Sequence, residues 1–161
     1  MPHLSASSQQ LAAQSVIWAE NSLLTEWFTY GREQLPYEAC GALFGRRAAD
    51  GWLLTGWRGI NNAAVNPEEQ FTLDPLQWVP LVMKQSVCMP GDEQLLGVFH
   101  THPAAAPIPS AADLQTTWHA LPCHAIISFC SPGKPLAAFY RYTRASGDIS
   151  LQFEPYTLKL L

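Results

Sequence analysis

The segment His100-Thr101-His102-Pro103 is followed, after the six residues AAAPIP, by Ser110-Ala111-Ala112-Asp113. In an extended chain, residues two apart point to the same side. His100 and His102 would then face one point, with backbone attachment points roughly 6–7 Å apart. Two imidazoles so placed can converge on one metal ion. Asp113 lies one helical turn after Ser110, so both side chains would project from one side of a helix start. If the Pro-rich loop folds that helix back over the strand, Asp113 becomes a third ligand and Ser110 sits beside an open position. Three protein ligands with an open fourth position make a catalytic zinc site, whereas four closed ligands make a structural one. A carboxylate beside water activated there can take its proton, and burial tunes such a group upward to fit the task. Glu38, in Pro36-Tyr37-Glu38-Ala39-Cys40-Gly41 at the rim of an apolar segment, is the candidate. Each feature also has a plainer reading. A His-x-His pair occurs without metal, Ser-x-x-Asp caps helices with an acid in the first turn, and a glutamate is usually a surface residue. Cap and ligand are compatible roles, and the combination at fixed spacing favours chemistry.

These residues need elements to hold them. Residues 15–19 suit a short strand. Residues 23–34 carry apolar side chains at near-helical spacing and stop before Pro36. Residues 39–45 and 52–57, either side of Asp50-Gly51, read as a hairpin of buried strands. Residues 61–69 are a loop by composition, and 71–73 suit an edge strand. Asp74-Pro75 opens a helix to about Gln85, with Asp as N-cap and Pro at the first position; Pro80 inside it should kink it or delay its start. A strand over 94–102 enters the Pro/Ala loop 103–109. A helix over 110–120 is predicted with Ser110 as its N-cap. Strands follow at 124–129, 136–142 and 149–153. Strands and helices mix without regular βαβ alternation, so the fold class is α+β.

Composition narrows the function classes. The 161 residues suit one domain, read as a flexible tail over 1–14 and a single domain over 15–161. With 48% hydrophobic and 14% charged residues, disorder is not the main state. The net charge of −4 and nine scattered Lys+Arg argue against a nucleic-acid partner. No apolar run reaches membrane-spanning length, so no membrane partner is expected. Met1–Gln14 lacks the pattern of a signal peptide, which points to the cytoplasm and to reduced, mostly buried Cys40, Cys88, Cys123 and Cys130. A cysteine protease is disfavoured, because the neighbours Cys123 and His124 would face opposite sides of a strand. Trp52, Trp57, Trp78 and Trp118 are expected in the core, with one or two free to line a groove. Gly41-x-x-x-Gly45 reads as strand packing, and His-Glu-x-x-His, P-loop and Gly-x-Gly-x-x-Gly patterns are absent from the sequence.

Taken together, the pattern resembles the JAMM (MPN-plus) zinc metalloproteases. Their signature is a Glu, a long gap, His-[Ser/Thr]-His-Pro, six residues, and Ser-x-x-Asp, which Glu38, His100 to Pro103, Ser110 and Asp113 match throughout. The run Glu38 to Gly45 and the segment Phe71 to Pro75 look like the compact bacterial members, and the resemblance spans about Val16 to Phe153. It implies the MPN, cytidine-deaminase-like architecture, a mixed and strongly curved sheet flanked by helices. It implies zinc on His100, His102 and Asp113, with Glu38 as proton shuttle and Ser110 as oxyanion donor. The implied substrate is a peptide or isopeptide bond just after the Gly-Gly tail of a ubiquitin-like protein. The implied partners are that protein or its conjugate and, in bacterial antiphage conjugation operons, activating and conjugating enzymes. Both deconjugation and trimming of a C-terminal extension stay open. Eukaryotic members carry two insertions that grip ubiquitin; the short segment after Asp113 implies that the second is absent or minimal. His119, Cys123, His124 and Cys130 do not have the spacing of a second, structural zinc site. A non-catalytic scaffold subunit of the same fold is the alternative, and a DNA-repair relative fits the acidic balance poorly. The loops 61–70 and 103–109 are placed to touch substrate.

Overall fold

In a computed structural model, residues 15–85, 87–89, 91–131, 133–144 and 150–161 are described. The predicted tail 1–14 therefore lies outside the described residues. The elements are β1 (Val16–Ala19), α1 (Asn21–Glu33), β2 (Cys40–Ala48), β3 (Gly51–Ile60), α2 (Pro75–Gln85), β4 (Gln94–His102), β5 (Cys123–Ser128), β6 (Leu136–Thr143), β7 (Gln152–Pro155) and β8 (Thr157–Leu160). This is the expected α+β mixture.

One eight-stranded sheet runs in the order β7-β6-β5-β4-β2-β3-β1-β8. β1 is parallel to β3 and β8, and β4 is parallel to β5; the remaining pairs are antiparallel. β7 and β8 lie at opposite edges, yet only Tyr156 separates them in the chain. The sheet therefore has to curl until its two ends meet. Two register shifts help. β4 gains a residue, Leu96, opposite the Leu43/Phe44 step of β2, and β3 gains Thr55 opposite the Phe44/Gly45 step. Such bulges sharpen local twist. The Leu96 bulge also sets the faces of β4. Leu95, Val98 and the two histidines fall on one side, and Leu96, Phe99 and Thr101 on the other.

Apolar side chains fill both faces. On one side Ile17, Leu43, Leu54, Leu96 and Phe99 pack with Leu24 and Trp27 of α1. On the other, Cys40, Ala42, Ile60, Leu95 and Val98 pack with Leu73 and with Trp78 of α2. β4 sits at the centre and is buried at every position after Gln94. Gly97 permits this closeness, since a Cβ there would lie 1.6 Å from the Cys123 carbonyl oxygen.

Asp74 caps α2 as the sequence indicates. Its Oδ1 accepts from the Leu76 N–H at 3.0 Å and its carbonyl accepts from Trp78 N–H at 2.9 Å. Pro80 neither delays the start nor ends the helix, which runs from Pro75 to Gln85. It lies on the exposed side, where water can serve the carbonyl it leaves free.

Three expectations are corrected. The helix over 110–120 is a single 3-10 turn, Asp113–Gln115. Thr116 leaves the turn in extended conformation, and its Oγ1 accepts from the Trp118 N–H at 3.1 Å. A local hydroxyl-to-backbone bond of this kind competes with helix continuation. The edge strand over 71–73 reduces to one bridge, Leu73 with Asn62. The last strand begins at Gln152 rather than 149, where Ile149 lies outside the described residues, and β8 follows as an unexpected further strand. Cys40 and Cys123 are buried, whereas Cys88 is half-buried and Cys130 exposed; all four are free. Among the described residues, no helix is long and apolar enough to cross a membrane.

Candidate metal centre and active site

His100 and His102 close β4, and both are buried on the face that carries Cys40 and Val98. Thr101 between them is fully buried on the other face. Its Oγ1 accepts from the Ala39 N–H at 2.8 Å, and its own N–H donates to the Ala39 carbonyl at 2.9 Å. The middle residue of the motif thus ties the histidine strand to the residue after Glu38.

Glu38 is fixed from both sides along the backbone. Its N–H donates to the Pro67 carbonyl at 2.7 Å, and Asn62 Nδ2 donates to its carbonyl at 3.0 Å. Asn62 holds the whole loop over 61–72. The same Nδ2 donates to the Gln70 carbonyl, and Oδ1 accepts from the N–H groups of Ala64 and Thr72. The loop over 103–109 is laced down in the same way by its carbonyls. Ala105 accepts from Ser128 Oγ at 2.6 Å, and Pro107 accepts from the Tyr140 hydroxyl. Ala106 accepts from His102 Nδ1 at 2.8 Å. A carbonyl only accepts, so Nδ1 of His102 bears a proton, and in the neutral ring Nε2 keeps its lone pair.

The 3-10 turn brings Asp113 back over the strand. His100 Nε2 and His102 Nε2 lie 3.1 Å apart. Asp113 Oδ1 is 3.2 Å from the first and Oδ2 3.2 Å from the second. Donors at 2.0–2.2 Å around a tetrahedral ion are about 3.3–3.6 Å apart. The triangle therefore suits one small cation and the two-nitrogen, one-carboxylate donor chemistry of zinc. Glu38, His100 and His102 also bring donor atoms within 4.8 Å of one another. Glu38 Oε2 is buried and has no hydrogen-bond partner.

Electrostatics separates the four groups. Burial would raise the Asp113 carboxyl, but hydrogen bonds from His100 and His102 outweigh it and hold Asp113 well below the usual carboxylate range. Burial pushes His100 down. Burial would also lower His102, but its bonds to Asp113 and the Ala106 carbonyl leave it raised. Burial pushes Glu38 up to about 7; His102 draws it back and Asp113 adds to the rise. One carboxylate stays ionised among imidazoles, and the other sits where a proton can be taken and given near neutral pH.

Ser110 and Asp113 clasp each other. Asp113 N–H donates to Ser110 Oγ at 3.1 Å, and Ser110 N–H donates to Asp113 Oδ2 at 2.8 Å. Ser110 is exposed, and its hydroxyl proton stays available to a substrate. The structure thus brings together Glu38, His100, His102, Ser110 and Asp113. His119, Cys123, His124 and Cys130 are not part of this group. Grooves flank the cluster on both sides. One of about 360 Å³ is lined by Phe71, Pro75, Trp78, Asp113 and Trp118. The other, about 270 Å³, is lined by Tyr30, Gln34, Tyr37, Glu38 and Asn61. Of the four tryptophans expected in the core, Trp78 and Trp118 line the groove beside Asp113, and Trp57 lines pockets elsewhere.

The structural roles of several supporting residues carry no sequence signal. Phe71 stacks on the His100 imidazole with ring centres 4.5 Å apart. Asn62 and Ala106 act through contacts that local pattern does not encode. Only Thr101 was readable, as the strand position that must face away from the histidines.

Comparison with known proteins agrees with this architecture. The prokaryotic homologues of the JAB domain match residues 20–142. A desampylase of Haloferax volcanii is 30% identical over 104 residues, which are 64% of this chain and 68% of the relative. A solution structure of a Desulfitobacterium hafniense protein superposes with a TM-score of 0.70 at 28% identity, covering 90% of this chain and 92% of the other. With the sequence motif, the curved sheet and a match over most of its length in agreement, the chain belongs to the prokaryotic JAB-domain family.

Proposed function

We propose that this protein is a metal-dependent peptidase or isopeptidase that hydrolyses the bond after the C-terminal Gly-Gly of a ubiquitin-like protein. The observation that carries the reading is the buried triangle of His100 Nε2, His102 Nε2 and Asp113, with a partnerless carboxylate oxygen of Glu38 beside it. His100, His102 and Asp113 would hold zinc, which supplies Lewis acidity toward the scissile carbonyl and toward water. Glu38 Oε2 takes a proton from the attacking water and delivers it to the departing amine nitrogen, so that water adds across the C–N bond to give an acid and an amine. Ser110 Oγ–H donates to the carbonyl oxygen as negative charge develops on it. The two grooves give an extended chain room on either side of the cluster. The relation to a desampylase supports a ubiquitin-like modifier as substrate, and a tail of two glycines adds no side chain to exclude.

The test is a mass-spectrometric cleavage assay. Each candidate ubiquitin-like protein is offered both as a C-terminally extended fusion and as a lysine conjugate. Cleavage after Gly-Gly that Glu38→Ala and a zinc chelator each abolish is the expected result, and the preferred form separates trimming from deconjugation. Purified protein that binds no zinc and cleaves neither form would overturn the reading in favour of a non-catalytic scaffold.

A further inference from the structure

His124 is 5% exposed, one strand away from the histidine pair in β5. Its register partner in β4 is Val98, which puts it on the same sheet face as His100 and His102. The imidazole stacks flat on Tyr142, with ring centres 4.0 Å apart and planes 6° from parallel. The backbone of His119 and Leu121, in the loop before β5, acts electrostatically on the ring. Its Nε2 is buried without a partner.

His100 has a matching need. A metal-binding imidazole nearly always donates its second ring N–H to an acceptor that fixes tautomer and orientation. For His102 that acceptor is the Ala106 carbonyl. For His100 no such acceptor is present among the described residues. Its Nε2 faces Asp113 and His102, so Nδ1 lies on the side of the ring turned from the cluster. A small cavity of about 10 Å³ is shared by His100 and His124, with Asp113, Thr116 and Tyr142 also in its lining. That is about the space one buried water needs, and buried water characteristically joins polar groups that lack partners.

We propose that His124 is a positioning residue for the ligand His100, acting through one buried water that accepts from His100 Nδ1–H and donates to His124 Nε2. The chain assigns each ring nitrogen one role. His100 keeps its Nε2 lone pair for metal, and His124 accepts at Nε2. The proposal rests on the metal-site reading above.

The test measures Zn²⁺ affinity by competition with a chromogenic chelator, and the ligand-field spectrum of the Co²⁺-substituted protein, in His124→Phe and His124→Gln. Phe keeps the ring on Tyr142 but removes the acceptor; Gln returns an acceptor near the Nε2 position. The expected result is a 10–100-fold loss of Zn²⁺ affinity in His124→Phe, with an altered Co²⁺ spectrum and substantial recovery of both in His124→Gln. Wild-type affinity in a folded His124→Phe would overturn the proposal, as would equal losses in the two variants. A high-resolution structure of zinc-loaded wild-type protein gives an answer that does not depend on variant folding, and a dry cavity there would also overturn it. Failure of the wild-type protein to bind Zn²⁺ would strike the metal-site reading instead, which keeps the two failures distinguishable.

Discussion

Glu38 and His124 are both buried beside the same cluster, but their environments give them opposite uses. Glu38 Oε2 has no partner and its carboxyl is pushed up to about 7, which suits a group that accepts and returns a proton. Glu38→Gln keeps shape and removes that capacity. It should lower kcat about 10²–10⁴-fold and leave zinc content unchanged, checked by steady-state kinetics alongside metal analysis. His102→Ala and Asp113→Ala should instead lose the metal. His124 gives a stability prediction with a definite sign. Burial, the largest effect, and the nearby His100 and His119 push its imidazole from 6.5 down to about 4. Between those values the unfolded chain binds the extra proton and the folded chain does not. Stability from neutral His124 is therefore complete above about 6.5 and is lost as pH falls toward 4, by the order of 2–3 kcal/mol. Glu38 titrates in the opposite sense but is common to both proteins when wild type is compared with His124→Phe. Urea unfolding from pH 7 to 4 should show a shallower acid loss in the variant; parallel curves would count against the assigned state of His124. The residues of the proposed centre were legible because strand alternation and a fixed gap bring His100, His102 and Asp113 to one side. Asn62, Phe71 and His124 were not legible, since each acts on a residue distant in sequence through a contact that only the folded sheet creates.

At the scale of elements, the sequence reads well where local chemistry decides and poorly where packing does. Asp74-Pro75 places the start of α2, and the hairpin around Asp50-Gly51 follows from its turn residues. The helix expected over 110–120 fails because Thr116 bonds locally to the Trp118 backbone and Trp118 turns to meet Trp78, with ring centres 5.2 Å apart. Asp113, the proposed third ligand, needs only the first turn of such a helix, and one turn is what forms. The pairing of β4 with β5 rests on a different device. A Cβ at Gly97 would sit 1.6 Å from the Cys123 carbonyl oxygen, whereas nothing lies within 4 Å of one at Gly56 of β3. Gly97→Ala must push apart the two central parallel strands and should cost about 3 kcal/mol or more. Gly56→Ala should be neutral or stabilise by about 0.5–1 kcal/mol through the unfolded chain. Denaturant melts of the two variants side by side test this, and similar losses in both would show that the β4–β5 approach is not the tight point. Because β4 ends in the two histidines, Gly97→Ala should also weaken zinc binding, while Gly56→Ala should leave it unchanged.

For the whole molecule, the least legible feature is the order of the strands. β1 and β8 come from opposite ends of the described chain and pair in parallel, and no local pattern signals that. What makes the arrangement closed is a single residue between two edge strands. Tyr156 N–H donates to the Phe139 carbonyl of β6 at 2.8 Å, and its hydroxyl donates to the Pro122 carbonyl just before β5, also at 2.8 Å. Its ring packs against the cluster that holds Trp27 and Phe99. Tyr156 therefore touches the β5–β6 end of the sheet while the chain passes from β7 at that end to β8 at the other. Tyr156→Phe removes only the hydroxyl and strands a carbonyl, a loss of about 1 kcal/mol. Tyr156→Ala also opens space beside the core and should cost about 3 kcal/mol, a fall in Tm of roughly 6–12 °C for a chain of this size. The form of the transition is as informative as its midpoint. If closure through Tyr156 couples the two ends, wild type should unfold in one step, with core tryptophan fluorescence and amide exchange in β1 and β8 reporting the same free energy, whereas in Tyr156→Ala β1 and β8 should exchange well before the core. One-step unfolding of Tyr156→Ala, with β1, β8 and the core still reporting one free energy, would show that other contacts hold the ends of the sheet together.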